Sequence, residues 1–257
     1  MSSSSTQSTT ILTGVSGDIG RAYLKAFVRA GRNVVATDIA PAAEPGEQAV
    51  KEANESGPGR AVFVTADVTS AEDCEHVMSV AMDEFAGADA LVNNAAIYHG
   101  LGPKRSIVEL TEADWDKVLK VNVTGTWQMM RAAVPLLKES GRGRIVNIAS
   151  VVTRNGATGF AHYVASKAAV EGLTRSAAKE FGVDKITVNN VSPGLVDDAG
   201  SRAVNTDDYM QKIAATRAIP RAMQPEDLVS AVTWLTSEES GFVTGQTIIV
   251  DGGGIFS

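Results

Sequence analysis

Short apolar, β-branched runs alternate along this chain with longer segments whose apolar residues recur at helical spacing. TTILT at Thr9–Thr13 is followed, after Gly20, by Arg21 to Ala30, where the apolar positions share one helix face. The alternation returns in NVVATD, AVFVTAD, ALVNN, RIVNIAS, ITVNNVSP and TIIVDG. Helix-length segments lie between them, among them Ala71 to Phe85 and Glu112 to Lys138. Seven strands alternating with helices predict an α/β domain, a mostly parallel sheet covered by helices on both faces. Neither a long linker, a repeat nor a second apolar unit interrupts the pattern. Residues 9–257 therefore read as one domain behind a flexible lead-in, 1–8. The longest strand-free stretch follows Pro193, is rich in Asp and poor in large apolar residues, and reads as a lid around 195–222.

Between the first strand and the first helix lies TGVSGDIG, Thr13 to Gly20. Glycines at that point let the backbone turn tightly against a pyrophosphate, and the helix that follows aims its unpaired N–H groups at it. A glycine-rich string alone is weak evidence; its place after a predicted strand gives it weight. Asp38 ends the second strand, where a carboxylate can accept hydrogen bonds from an adenosine ribose and repel a 2′-phosphate. Neither Ile39 nor residues 14–20 supply a cation to offset that repulsion. The pattern predicts NAD as cofactor, the alternative being that Asp38 is an ordinary solvated loop residue.

Tyr163 and Lys167, in YVASK, stand one turn apart within the helical segment Ala161 to Phe181 and so share a face. A phenol titrates near ~10, and bringing it to neutrality takes about 4 kcal/mol favouring phenolate. A neighbouring ammonium, helped by the positive nicotinamide ring of an oxidised cofactor, is the kind of environment that supplies this. Tyr-x-x-x-Lys pairs are common on exposed helices, so context must carry the assignment. Ser150 supplies some, because it ends GRIVNIAS and falls at the carboxyl edge of the sheet, where open α/β sheets bind ligands.

Composition narrows the partners. A net charge of −7 argues against nucleic acid and anionic lipid. No run of 18 apolar residues suggests a membrane span, and the lone Cys74 forms no internal disulfide. MSSSSTQSTT lacks both a basic start and an apolar stretch, so no export signal is expected and a cytoplasmic setting fits best. No metal site is suggested. His76 and His162 read as structural, whereas His99 could line a substrate pocket with Tyr98.

Taken together, the motifs resemble the short-chain dehydrogenase/reductase family from Thr9 to Gly253. The shared features are the glycine turn, Asp67-Val68, Asn93-Asn94-Ala95-Ala96, Asn122 in VNVTGT, Ser150, Tyr163 with Lys167, Pro193-Gly194 and TGQTIIVDGG. The resemblance implies a single-domain Rossmann fold, a doubly wound parallel sheet. It implies a catalytic tetrad in which Ser150 holds the substrate oxygen and Tyr163 exchanges its proton. Lys167 lowers the phenol pKa and binds the nicotinamide ribose, and Asn122 holds a water linking lysine to solvent. For the cofactor it implies Gly14, Gly17, Asp18, Ile19 and Gly20 at the pyrophosphate and Asp38 at the ribose. Asp67 and Val68 would meet the adenine, Asn93 and Ala95 would line the adenosine side, and Pro193, Gly194 and Val196 would shape the nicotinamide pocket.

The implied activity is NAD-dependent interconversion of a secondary alcohol and a ketone. A 3-oxoacyl thioester reductase is the alternative within the family; those more often use NADPH and meet an acidic carrier through basic patches, which Asp38 and the acidic balance disfavour. A nucleotide-binding regulator that has lost turnover is the alternative of another class. Relatives commonly pair the helices at 112–138 and 161–181 across subunits, which implies a homotetramer or homodimer; packing within one subunit is the other use of their small residues.

Two departures from the family pattern stand out. The common turn, TGxxxGxG, here reads GxxGxxG, with Asp18 in place of a glycine. That carboxylate either caps the first helix or stands close to the pyrophosphate. Asp198 occupies the place of a threonine that in many relatives contacts the nicotinamide carboxamide. Ala96, after Asn93-Asn94-Ala95, adds only a methyl group.

Overall fold

Five consecutive buried residues make β1 (Thr9–Thr13), because a central parallel strand has helices on both faces and no solvent side to alternate toward. The computed structural model describes residues 7–256, the side chain of His99 apart; most of the expected lead-in and Ser257 lie outside the described residues. After β1 come α1 (Asp18–Arg29), β2 (Asn33–Asp38), α2 (Ala43–Asn54), β3 (Ala61–Thr65), α3 (Ala71–Phe85) and β4 (Ala90–Asn93). They are followed by α4 (Glu112–Leu119), α5 (Thr126–Ser140), β5 (Arg144–Ile148), α6 (Val152–Asn155), α7 (Ala161–Phe181) and β6 (Thr187–Pro193). The chain closes with α8 (Ala199–Arg202), α9 (Asp207–Ala215), α10 (Val229–Leu235) and β7 (Thr247–Val250).

The seven strands form one sheet in the order β3-β2-β1-β4-β5-β6-β7, every pair parallel. Winding runs outward from β1 to β3, then returns to β4 on the other side of β1. The reversal opens a crevice beyond the carboxyl ends of β1 and β4. One apolar core, with Tyr23, Phe27, Val232 and Leu235, lies on the α1 and α10 face. A second, with Cys74, Met129, Leu137 and Ala177, lies on the α3, α5 and α7 face. The predicted α/β, doubly wound Rossmann architecture is the one observed.

Asn93, Asn147, Asn190 and Thr247 occupy one row across β4, β5, β6 and β7, each directly opposite the next. Asn93 Nδ2 donates to Asn147 Oδ1 at 2.8 Å, and Asn147 Nδ2 donates to Thr174 Oγ1 of α7 at 2.8 Å. Thr174 in turn donates to Asn190 Oδ1 at 2.8 Å, and Asn190 Nδ2 reaches Thr247 Oγ1 at 3.1 Å. Asn147, Thr174 and Asn190 are wholly buried, and this chain of partners is what makes their burial affordable.

Two regions differ from the sequence expectation. The single helix expected at 112–138 is α4 and α5 joined by one wide π turn, Lys120–Gly125. Residues 195–222, expected as a strand-free lid, hold two short helices, α8 and α9, each started by a polar cap. Asp198 accepts from Ser201 N at 2.6 Å, and Thr206 Oγ1 accepts from Tyr209 N at 3.3 Å. The base of this segment is tied down by buried Arg217, which donates to the carbonyls of Leu195 at 2.7 Å and Arg221 at 2.8 Å. Among the described residues no helix is long and apolar enough to cross a membrane.

Candidate active site

A cleft of about 970 Å³ opens at the carboxyl edge of the sheet, bounded by the glycine turn, the β4, β5 and β6 ends and the α8–α9 segment. Gly14 has φ +72°, and a Cβ there would come 2.9 Å from Ala95 Cα. The turn is therefore folded directly against the loop after β4, and only glycine fits. Asn94 fixes it in place, donating to the carbonyls of Thr13 at 3.1 Å and Gly14 at 2.9 Å. Thr13 Oγ1 answers by accepting from the amides of Asn94 at 3.0 Å and Ala95 at 2.9 Å.

Gly17 starts α1 without any side-chain cap. The amides of Asp18, Ile19 and Gly20 thus begin the helix with no carbonyl of their own helix to bond. A Cβ on Gly17 would meet nothing within 4 Å, so this face of the turn is open to the cleft. Uncapped amides, open space and the positive end of a helix suit the pyrophosphate of a dinucleotide. Asp18 does not cap α1; its Oδ2 accepts instead from the amide of Ala199 at 2.9 Å. Asp38 lies on the cleft wall with Oδ2 held by Ser16 N at 2.9 Å and Ser16 Oγ at 2.6 Å, and Oδ1 held by Ile39 N at 2.9 Å. Arg21, the residue after the glycine turn, directs Nε to the Ser16 carbonyl at 2.9 Å and Nη2 to that of Pro45 at 3.0 Å.

Of the residues expected at the cofactor, Ile19, Gly20, Asp67, Val68, Ala95, Pro193, Gly194 and Val196 line the cleft. Asn93 does not: its amide is buried in the row across the sheet, and the neighbouring Asn94 takes the place on the wall. Alternation along β4 explains the exchange, since adjacent residues face opposite sides. Asp198 reaches the wall, but its carboxylate is occupied as the α8 cap.

Ser150, Tyr163 and Lys167 meet on the floor of the cleft. The Ser150 hydroxyl lies close enough to the Tyr163 phenol to pull its titration down, and Lys167 Nζ stands 5.7 Å from the phenol ring centre while donating to the Ile148 carbonyl at 2.7 Å. Asn122 sits one layer behind, off the wall. Its Oδ1 accepts from Ile97 N at 2.8 Å and its Nδ2 donates to Ser166 Oγ at 3.0 Å; Ser166 donates onward to the Tyr163 carbonyl at 2.7 Å. The wide turn that carries Asn122 is a distortion that recurs at functional sites.

Burial governs the titration of both central groups. It pushes the Tyr163 phenol well above its ordinary value, Tyr98 and Asp198 push the same way, and only Ser150 pulls it down. Burial also lowers Lys167 from 10.5 to about 8. The lowering of the phenol was expected from the ammonium together with the positive ring of an oxidised nicotinamide; among the protein's own groups burial dominates both titrations. The protein's own groups keep Tyr163 protonated.

The far half of the cleft is aromatic. The Tyr98 ring centre lies 5.1 Å from that of Tyr163 and 5.9 Å from that of Phe160. The Tyr98 hydroxyl accepts from Asn205 Nδ2 at 3.2 Å, while Lys104 Nζ donates to Asn205 Oδ1 at 3.0 Å and lies 4.6 Å from the ring centre of Tyr209. Lys104 and Asn205 carried no sequence signal, because neither belongs to a motif and they lie 101 residues apart. Tyr98, expected beside a substrate with His99, lines the cleft; the side chain of His99 lies outside the described residues. His162 is buried edge-on to Trp115, and burial pushes its imidazole down.

A family model described as "Enoyl-(Acyl carrier protein) reductase" matches residues 14–254. The chain is 33% identical over 246 residues to a 3-oxoacyl-[acyl-carrier-protein] reductase of Vibrio cholerae, covering 95% of each. A protein of the same name from Thermotoga maritima is 34% identical over 244 residues, with 95% of this chain and 96% of that one covered. Among solved structures, a short-chain dehydrogenase/reductase of Brucella melitensis, described as a glucose/ribitol dehydrogenase, superposes with a TM-score of 0.88 at 32% identity, over 97% of both chains. A dehydrogenase/reductase of Sinorhizobium meliloti gives 0.87 at 34%, over 97% of this chain and 95% of that one. With the fold and the Ser150–Tyr163–Lys167 cluster agreeing, the chain belongs to the short-chain dehydrogenase/reductase family of oxidoreductases.

Proposed function

We propose that this oxidoreductase uses NAD(H) to interconvert a secondary alcohol and its ketone, with Tyr163 as general acid and base. One observation carries the reading: the Ser150 hydroxyl, the Tyr163 phenol and the Lys167 ammonium converge beside an uncapped glycine turn in a single cleft. A bound nicotinamide supplies or accepts the hydride, and the protein's task is placement and proton handling. The α1 amides at 18–20 hold the pyrophosphate. Asp38 takes the adenosine ribose and supports NAD over NADP, since its carboxylate and the occupied Arg21 leave no welcome for a 2′-phosphate. Asp67, Val68 and Ala95 line the adenine side, and Pro193, Gly194 and Val196 shape the nicotinamide side.

In reduction, Ser150 orients the ketone oxygen and Tyr163, held protonated by burial, gives its proton to it. Lys167 then stabilises the phenolate left behind, and the Ser166–Asn122–Ile97 hydrogen bonds keep the α7 start aligned with the loop after β4. The aromatic half of the cleft suits a ketone with an apolar body. A 3-oxoacyl thioester is the second reading, favoured by the names of the Vibrio and Thermotoga relatives. Assembly as a homo-oligomer belongs to the same proposal and is supported by exposed Phe242 and Trp234 and a half-buried edge strand β7; size-exclusion chromatography with light scattering tests it.

Following NADH and NADPH absorbance against cyclic, aromatic and aliphatic ketones and a 3-oxoacyl thioester tests the activity and separates the two readings. Tyr163→Phe should lower turnover by at least about 100-fold with NADH binding retained. Undiminished turnover would sink the assignment of Tyr163, and activity confined to NADPH would sink that of Asp38.

A further inference from the structure

In place of the glycine common in the family turn, this chain carries Asp18, and the structure gives that side chain an unexpected partner. Its Oδ2 accepts from the amide of Ala199, 181 residues away, at 2.9 Å. Ala199 is the first residue of α8, at the start of the segment that roofs the cleft. Within α8 the amide of Ser201 is already taken by Asp198 at 2.6 Å. The short helix is therefore begun by two carboxylates, one its own and one lent by the glycine turn. On the opposite edge the same segment is fastened by Asn205 to Tyr98 and by Lys104 to the Tyr209 ring. Among the described residues, Asp18 to Ala199 is the one hydrogen bond that joins turn to roof.

We propose that Asp18 is a positioning residue that clasps the α8–α9 roof to the cofactor turn, so that grip on the nucleotide and closure over the substrate are coupled through one carboxylate. The clasp accounts for a carboxylate beside an anion-binding turn: engaged with Ala199, it directs its charge at a donor in the roof and leaves the α1 amides uncapped. What matters at position 18 is then the capacity to accept a hydrogen bond, whereas a simple repulsive role would depend on charge alone. The coupling to nucleotide rests on the NAD(H) reading above; the clasp itself does not.

Asparagine and alanine separate these roles, because Asp18→Asn loses the charge and keeps an acceptor, while Asp18→Ala loses both. In protein stripped of nucleotide, Asp18→Ala should speed hydrogen–deuterium exchange of the 199–204 amides about tenfold, the effect of one charge-assisted hydrogen bond. Asp18→Asn should stay within about threefold of the parent. Ala199→Pro offers a second route, since proline suits the first position of a helix and residue 198 is already extended, at φ −130° and ψ 169°. It deletes the donor, should speed exchange of the remaining α8 amides as Asp18→Ala does, and should add nothing when combined with it. With NADH, Asp18→Ala and Ala199→Pro should each raise the dissociation rate several-fold, and Asp18→Asn should not.

Unchanged exchange in both Asp18→Ala and Ala199→Pro would overturn the proposal, as would equal tightening of NADH by Asp18→Asn and Asp18→Ala. If the parent failed to bind NADH at all, the functional reading would fall while the exchange result still decided the clasp. Thermal unfolding of each variant shows whether altered exchange is local.

Discussion

Lys167 is the residue at which function and stability should pull apart. The residue is 4% exposed, and among the described residues its ammonium has one acceptor, the Ile148 carbonyl. Burial lowers it from 10.5 to about 8, which corresponds to about 3 kcal/mol of desolvation cost carried by the charged native state. Lys167→Met keeps much of the chain's volume, removes that cost, and leaves the Ile148 carbonyl without its donor, at about 1–2 kcal/mol. The net expectation at pH 7 is a nucleotide-stripped variant more stable by about 1–2 kcal/mol, with melting raised by roughly 2–6 °C, and with catalysis lost. The pH dependence has a fixed sign. Below pH 8 both folded and unfolded lysines are protonated and the whole penalty stands. Between about 8 and 10.5 the native lysine is neutral while the unfolded one still binds a proton, so wild-type stability rises with pH. By pH 9 the wild type regains about 1.4 kcal/mol, and the advantage of the variant should be nearly gone. Calorimetric or dye-based melting at pH 7 and pH 9 checks both statements. A variant less stable than wild type at pH 7, or a gap that does not close by pH 9, would refute the claim that the native ammonium is buried at a cost.

The same lysine sets an expectation for turnover: kcat/KM for ketone reduction should fall above about pH 8, as the charge that stabilises the phenolate is lost, while alcohol oxidation should not fall there. Lys167→Arg, which does not titrate in this range, should abolish the limb; a limb that persists unchanged assigns it to another group. Thr174→Val strands the Asn147 Nδ2 donor and the Asn190 Oδ1 acceptor in a fully buried site, and should cost about 2–4 kcal/mol in urea unfolding; a cost under about 1 kcal/mol would mean that the row repacks. Asp38→Ala should reduce the preference for NADH over NADPH by roughly tenfold, measured as the ratio of the two kcat/KM values. An unaltered ratio would locate nucleotide selection elsewhere.

Most of the fold was legible because its signals are local. β-branched runs such as TTILT and RIVNI fill both faces of a buried strand, and α3 and α7 have the ends that their periodicity gives. The wide turn at 120–125 was not legible, since apolar spacing runs on through VNVTGT without a break. The α8 and α9 helices were hidden by their brevity and by a polar sequence that resembles a loop. In the site, Ser150, Tyr163 and Lys167 could be placed because each sits at a strand end or on one helix face. Asn93 could not be told from Asn94 by motif alone, although strand alternation distinguishes them once β4 is fixed. Asp18 was assigned two uses, cap or neighbour of the pyrophosphate, and has a third, because its partner is 181 residues distant and nothing near it in sequence announces that contact.

The asparagine row across β4 to β7 has a consequence beyond stability. Parallel strands with apolar faces can slide by two residues and still present apolar side chains to the same layer, so hydrophobicity sets the face but not the register. Amides that must find polar partners remove that freedom: Asn147 reaches Asn93 of β4 and Thr174 of α7 at one alignment only. Three strands of the row, β4, β5 and β6, lead within one to three residues into the cleft: Asn93 into Asn94 and Ala95, Asn147 into Ser150, Asn190 into Pro193. The row therefore acts as a ruler laid across the sheet just behind the cleft, and a two-residue slip of β5, about 7 Å, would carry Ser150 out of reach of Tyr163. Geometric fidelity of the reacting groups is in this way written into a layer of the protein that lies off the wall of the cleft.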